Sequence, residues 1–386
     1  MIATLMMPRL IAVGGGAVAE APAMLGRLGI ARPLVVSDLF MRDSGLLSRL
    51  TDRLTAAGIA FETFCDTVPD PTDLVVEAGT ARLKEGGFDG LVAFGGGSPI
   101  DTAKAMSVLA ALGGRMRDHK VPNLADRGAV PVVAIPTTAG TGSEATRFTV
   151  ITDTASDEKM LIAGLGCLPA AAIVDYELTL GKPFRLTADT GIDSLTHAIE
   201  AYVSRRRNPM ADGLALMAMR RIHANIRTAC FEPGNRAARE EMMLGATQAG
   251  LAFSNSSVAL VHGMSRPIGA FFHVPHGLSN AMLLPAVTAF SAGAALDRYA
   301  DCARAMGVAE EGEGDQAAVA KLLEALAALN AELKVPSPRD YGIDKARWDS
   351  LLETMAAQAL ASGSPGNNPR VPTAEEIVAL YRQIWS

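Results

Sequence analysis

Three of the chain's six histidines fall in one short stretch, "HGMSRPIGAFFHVPHG" at residues 262–277. Imidazole nitrogens act as acids, bases and ligands for borderline metal ions, so their concentration in an apolar segment invites a chemical reading beside a packing one. Pro267 and Pro275 are expected to break the stretch, which would deliver His262 and His276 from different elements. A second pair, Asp193 and His197 in "TADTGIDSLTHAIEAYVS" (187–204), is four residues apart and shares one face of a predicted helix capped near Asp189 or Thr190. An Asp–His hydrogen bond would satisfy that pair, and so would a divalent cation. Taken together, Asp193, His197, His262 and His276 offer one carboxylate and three imidazoles, a set suited to Fe(II) or Zn(II). His273 either lines the same pocket or sits near the surface.

Two loops have phosphate-binding chemistry. "AFGGGSPIDTAK" (93–104) sets Gly95, Gly96, Gly97 and Ser98 between a predicted strand and a predicted helix. Such glycines let the backbone approach a diphosphate, and the helix N-terminus supplies free N–H groups. The loop matches neither the GxGxxG nor the Walker pattern, so a plain tight turn fits it as well. "PTTAGTGSEAT" (136–146) gathers Thr137, Thr138, Thr141, Ser143 and Thr146 around two glycines, which suits a nucleotide or an ordinary loop. Asp38 ends an early strand. There it either caps the next helix or accepts hydrogen bonds from ribose hydroxyls, the latter favouring NAD over NADP.

The elements that must position these groups divide the chain in two. "RPLVVSD" (32–38), "GLVAFGGGS" (90–98), "AVPVVAIPTT" (129–138) and "AAAIVD" (170–175) are continuous apolar runs ending in turn residues. Helical patterns lie between them, at 45–58 with Leu47, Leu50 and Leu54 on one face, and at 100–114. Strands of this kind belong to a parallel sheet covered on both sides, a doubly wound α/β arrangement that binds ligands beyond its carboxyl edge. After about residue 183 strand signals fade, and helical stretches follow at 191–205, 209–229, 238–253, 315–333, 345–362 and 373–385. The expected division is an α/β domain over 1–183 and an all-helical domain over 184–386, with "GKPFRLTADT" (181–190) as hinge.

Composition narrows the function classes. The chain has 386 residues, 49% hydrophobic and 20% charged, with a formal charge of −6. That balance disfavours nucleic acid or an anionic membrane as the main partner. Four scattered cysteines form no CxxC pair. "MIATLMMPRLIAVGGG" lacks the basic start of a signal peptide, and no apolar run reaches the roughly 20 residues that span a bilayer. A cytoplasmic protein is expected.

With these residues in view, the sequence resembles the iron-containing (group III) alcohol dehydrogenase family. The likeness spans nearly the whole chain, through "GGGSPIDTAK", "PTTAGTGSEAT", "DYELTL" (175–180), "TGIDSLTHAIEAYVS", "VHGMSRPIGAFFHVPHGLSNAMLLP" (261–285) and "NNPRVPTAEEIVALY" (367–381). It implies a Rossmann-like NAD(P)-binding α/β domain followed by a helical domain, a dehydroquinate-synthase-like architecture with the active site in the cleft between them. It also implies reversible hydride transfer between an alcohol, giving aldehyde or ketone, and NAD, with NADP less suited. Position by position, the implied metal ligands are Asp193, His197, His262 and His276. The implied nucleotide contacts are Asp38, Gly96, Gly97, Ser98, Thr137, Thr138, Thr141, Thr146 and Lys159, the last unmarked by any local pattern. Members are commonly homodimers or larger homo-oligomers.

One residue departs from the family pattern. Arg266 stands where many members carry His, four residues after His262. Arginine is a poor acid–base group and a good clamp for carboxylate, sulfonate or phosphate. Either it faces the substrate, or it pairs with an acid or turns to solvent. Two rival functions fit parts of the pattern: a metal- and NAD-using lyase on the dehydroquinate-synthase-like scaffold, and a non-catalytic metal- or nucleotide-binding module.

Overall fold

In the computed structural model, which describes residues 2–386, the chain forms two compact units. Residues 4–181 make the first; residues 182–386, together with Ile2 and Ala3, make the second.

The first unit is built on eight strands: β1 (Leu10–Val13), β2 (Pro33–Asp38), β3 (Glu62–Thr67), β4 (Gly90–Gly95), β5 (Val132–Pro136), β6 (Phe148–Asp153), β7 (Glu158–Ala163) and β8 (Ala171–Val174). Its helices are α1 (Ala21–Leu28), α2 (Leu39–Asp43), α3 (Ser48–Ala56), α4 (Asp73–Glu85) and α5 (Gly97–Leu112). Six strands form one parallel sheet in the order β1-β8-β5-β4-β2-β3. The central strands read as unbroken apolar runs because successive side chains serve two different cores. Leu34, Val36, Leu91 and Ala93 pack on one face with Ile100 and Ala103 of α5. Val35, Val92 and Phe94 pack on the other with Leu47, Leu50 and Leu54. Strands β6 and β7 pair separately as an antiparallel hairpin that no sequence signal had marked.

The chain leaves β2 for β3 on one side and returns to β4 on the other, so the order reverses between β2 and β4. Ligands bind doubly wound sheets beyond the carboxyl ends at such a switch point. Asp38 ends β2 and Gly95 ends β4, and both lie at that edge.

The second unit is helical throughout: α6 (Phe184–Val203), α7 (Pro209–Phe231), α8 (Arg236–Ser256), α9 (Leu260–Phe272), α10 (His276–Ala292), α11 (Leu296–Ala305), α12 (Asp315–Glu332), α13 (Pro338–Tyr341), α14 (Lys345–Ala361) and α15 (Ala374–Gln383). Helix α6 begins earlier than the sequence suggests, directly after Pro183. Asp189 does not cap it; its carboxylate accepts from Arg185 Nε at 2.8 Å, an i,i+4 pair that holds the first turns helical. The stripe Ile192, Leu195, Ile199 and Val203 is buried, and so are Ser194, Ala198 and Ala201 opposite it. Such a helix is surrounded by others, and its few polar groups must find partners inside the unit.

Pro267 does not end a helix. Helix α9 runs through it, forgoing the bond Pro267 cannot donate. The break falls at His273, whose φ of 54° closes α9 in the left-handed conformation. Pro275 then caps α10, so His276 opens that helix.

Candidate metal centre and nucleotide loops

Asp193, His197 and Glu200 fall at i, i+4 and i+7 of α6 and therefore share a face. His262 comes from α9 and His276 from the first turn of α10. Ligand atoms of Asp193, His262 and His276 all lie within 4.8 Å of one another. Asp193 Oδ1 stands 3.5 Å from His262 Nε2, 3.9 Å from His276 Nε2 and 3.9 Å from His197 Nε2. Four ligands about 2.1 Å from a shared tetrahedral ion would stand ~3.4 Å apart, so the spacing suits one small cation. His197 lies outside that trio, beside it, its ring stacked on His262 with centroids 4.4 Å apart. Its Nδ1 is buried without a hydrogen-bond partner.

The lone pairs of this cluster converge on one positive group. Asn280 Nδ2, one turn after His276, donates to Asp193 Oδ1 at 2.6 Å and lies 3.2 Å from both His262 Nε2 and His276 Nε2. An amide has two protons for these three acceptors, while Asn280 Oδ1 is buried and unpaired. The donor set thus wants more positive charge than an amide gives, which fits a divalent ion. Burial drives the Asp193 carboxyl upward, but the imidazoles of His197, His276 and His262 outweigh it and keep it ionised. Burial brings His197 down to about 3, the neutral form that ligates metals.

Glu200 fixes His262 from behind. Its Oε2 lies 2.7 Å from His262 Nδ1, which leaves Nε2 directed at Asp193. The same carboxylate accepts from the backbone N–H of Ala259 at 2.8 Å and of Val261 at 2.6 Å. Helix α9 has no side-chain cap of its own, so Glu200 serves as cap and orienter together. Gly277 lets α10 begin against α6: a Cβ there would meet the Asp189 carbonyl oxygen at 2.4 Å. His273, by contrast, is exposed, and Arg266 is partly buried on α9.

In the first unit, Asp38, Gly96, Gly97, Ser98 and Thr137 lie at or just past the carboxyl ends of β2, β4 and β5. Asp38 caps α2, accepting from Met41 N at 2.8 Å. Helix α5 starts at Gly97 with no side-chain cap, leaving its first N–H groups to an outside acceptor. A Cβ on Gly97 would press to 2.9 Å from Thr141 Cγ2, and one on Gly96 would touch Thr138. Thr137 is buried, its hydroxyl 3.7 Å from Met41 Sδ. The two loops are tied by buried Lys104, whose Nζ donates to Ser143 Oγ at 2.8 Å, Thr146 Oγ1 at 3.1 Å and Phe148 O at 2.9 Å. Asp101 accepts from Ser143 Oγ and Val150 N on the same network. The Thr146 hydroxyl is therefore engaged in holding the loop. Lys159, on β7, is paired with Asp70 at 2.7 Å.

The comparisons with known proteins decide the family. The profile described as "Iron-containing alcohol dehydrogenase" matches residues 8–176, and "Fe-containing alcohol dehydrogenase family, C-terminal" matches residues 187–385. The chain belongs to the iron-containing alcohol dehydrogenase family. It is 38% identical to the lactaldehyde reductase of Escherichia coli (strain K12), over 96% of this chain and 97% of that one. It is 37% identical to the NAD-dependent methanol dehydrogenase of Bacillus methanolicus, over 96% of each. Among solved structures, a 1,3-propanediol oxidoreductase superposes with a TM-score of 0.93 at 34% identity, covering 100% of both chains.

This iron-type alcohol dehydrogenase thus has the dehydroquinate-synthase-like fold of its relatives and interconverts alcohols and aldehydes or ketones with NAD(H). The lyase and the non-catalytic module are not favoured. Sequence reasoning passed over Glu200 and Asn280. Their signal was positional: Glu200 follows Asp193 by seven residues, and Asn280 follows His276 by four, each on its ligand's helix face.

Proposed function

We propose that Asp193, His197, His262 and His276 hold the catalytic ion, Fe(II) with Zn(II) as its competitor, and that the chain reduces or oxidises a short alcohol or aldehyde. The observation that carries this is the convergence of Asp193, His262 and His276 on one point, with His197 stacked against them. When bound, the ion would supply Lewis acidity toward the substrate oxygen and NAD(H) would take or give the hydride. The chain's own residues do the positioning. Glu200 holds the His262 ring, and Ser265 Oγ, 3.3 Å from His276 Nδ1, does the same for His276.

Gly96, Gly97 and Ser98 would receive the NAD diphosphate at the start of α5, with Thr137, Thr138 and Thr141 beside them and Thr146 bracing the loop through Lys104. Asp38 at the switch point would take the ribose hydroxyls and repel a 2′-phosphate, and Lys159 would approach from the β6–β7 hairpin. The exposure of His273 supports at most a proton path at the mouth of the site. No helix of the described residues is long and apolar enough to cross a membrane, and all four cysteines are free and buried, which supports a reducing, cytoplasmic setting. A homodimer or larger assembly is supported by family habit and by edge strand β1, where Ile11 and Val13 are exposed.

The test is NADH absorbance with a panel of short alcohols and aldehydes, after loading with Fe(II) or Zn(II) without oxygen. Turnover with Fe(II) and NAD is expected. Failure with every metal, cofactor and substrate would remove the reading.

A further inference from the structure

We propose that Arg266 selects alcohols and aldehydes carrying a carboxylate or sulfonate a few bonds from the reacting carbon. This deepens the functional reading above and rests on its placement of the metal.

Arg266 follows His262 by four residues on α9, about 40° around the helix and ~6 Å along it. Helical side chains lean toward the N-terminus, a tendency that favours an Arg266 stem directed toward the turn carrying His262. Its guanidinium offers five donors, yet among the described residues it makes no hydrogen bond and no ion pair. Burial brings its pKa down to about 10, opposed by the charge of Glu200, and it stays cationic at neutral pH. Glu200 acts on it through charge but makes no hydrogen bond to it. That carboxylate is already taken by Ala259 N, Val261 N and His262 Nδ1.

The charges point the same way. Asp193 and Glu200 balance a divalent ion, which leaves the Arg266 cation to be met by something else. A partly buried cation without a hydrogen-bond partner is open to an anion, and the planar fork of arginine matches an oxyanion with two parallel hydrogen bonds. Arginine at this place is unsuited to proton transfer, so its use is binding. A substrate with its hydroxyl at the metal and an anion one helical turn away would satisfy both ends.

The experiment compares succinate semialdehyde with its neutral amide on the metal-loaded enzyme, for wild type, Arg266→Gln and Arg266→Lys. Wild type should prefer the acid. Arg266→Gln should lower the acid-to-amide ratio of kcat/KM roughly ten- to a hundredfold, the range of a hydrogen bond to a charged group, and Arg266→Lys should keep part of the preference. A second readout is calorimetric binding of butyrate to the metal-loaded protein without NAD, which Arg266→Gln should weaken by a similar factor. Equal loss on both substrates, or butyrate binding that ignores the substitution, would overturn the inference. So would an unchanged ratio with weakened NAD binding, since the arginine would then serve the cofactor. Turnover of neutral alcohols with no preference for acids overturns this inference alone; no turnover of any alcohol overturns it together with the functional reading.

Discussion

Three of the four proposed metal ligands are held by a neighbour: Asp193 by Asn280, His262 by Glu200 and His276 by Ser265. The four-residue spacing of Asp193 and His197 marked a shared helix face that an Asp–His hydrogen bond or a cation would satisfy, and the histidine-rich stretch at 262–277 supplied His262 and His276 as further candidates. What spacing alone did not show is how the rings are aimed. Glu200 was hidden because a glutamate in a helix is usually a solvated residue, and only the packing of α9 against α6 reveals it as buried and triply bonded. Replacing it tests the arrangement. Glu200→Gln keeps the shape but turns one acceptor into a donor, so metal affinity should fall about 10- to 100-fold, the usual effect of removing such a support. Competition with a chromophoric chelator would measure it, and an unchanged affinity would show that His262 needs no orienter.

At the scale of elements, the strands buried on both faces were legible because each reads as an uninterrupted apolar run. Strand β3, "ETFCDT", lies at the sheet edge with a half-exposed, polar pattern and gave no such signal. The β6–β7 hairpin was missed for a similar reason, since its burial alternates and its setting is loop-rich. Pro267 misled in the opposite direction, because a surrounded helix can tolerate the loss of one internal bond. Two predictions belong here. Gly277→Ala forces a Cβ onto the Asp189 carbonyl, so it should cost about 1–3 kcal/mol in urea unfolding and loosen metal binding with it. Wild-type stability on substitution would mean that α6 and α10 can part freely.

The second prediction concerns the hairpin. The Ser156 hydroxyl holds the Asp153 carboxyl below its ordinary value despite burial, with Arg117 Nη2 2.6 Å away adding to it. A carboxyl depressed in the fold lends stability that is present above its unfolded value of 3.8 and fades as pH falls through the folded one. The stability difference between wild type and Asp153→Asn should therefore be flat above about pH 5 and shrink in more acidic solution. A difference that grew on acidification would contradict the assignment.

On the scale of the whole molecule, the chain separates two tasks. Residues 4–181 present the glycine- and threonine-rich loops at one sheet edge, while residues 182–386 bring Asp193, His262 and His276 together from three helices. The change from apolar strands to long helices near residue 183 was plain in the sequence, because it is a change of hydrophobic period. The start of α6 was not, because its first turns carry the polar, Pro-led composition of a linker. Bringing α6, α9 and α10 onto one ion should also stabilise the fold. With free metal at about 100 times Kd the gain is about 2.7 kcal/mol, so chelation should lower the Tm in scanning calorimetry. A Tm indifferent to metal would place the ion, if any, outside the folded helices.

The most direct test is the metal content of the purified protein after anaerobic loading with Fe(II) and removal of excess, for wild type and for Asp193→Ala. One ion per chain in the wild type and almost none in the variant is the predicted result. Equal content in both, or none in the wild type under any loading, would contradict the claim that this aspartate and its three histidines hold the ion.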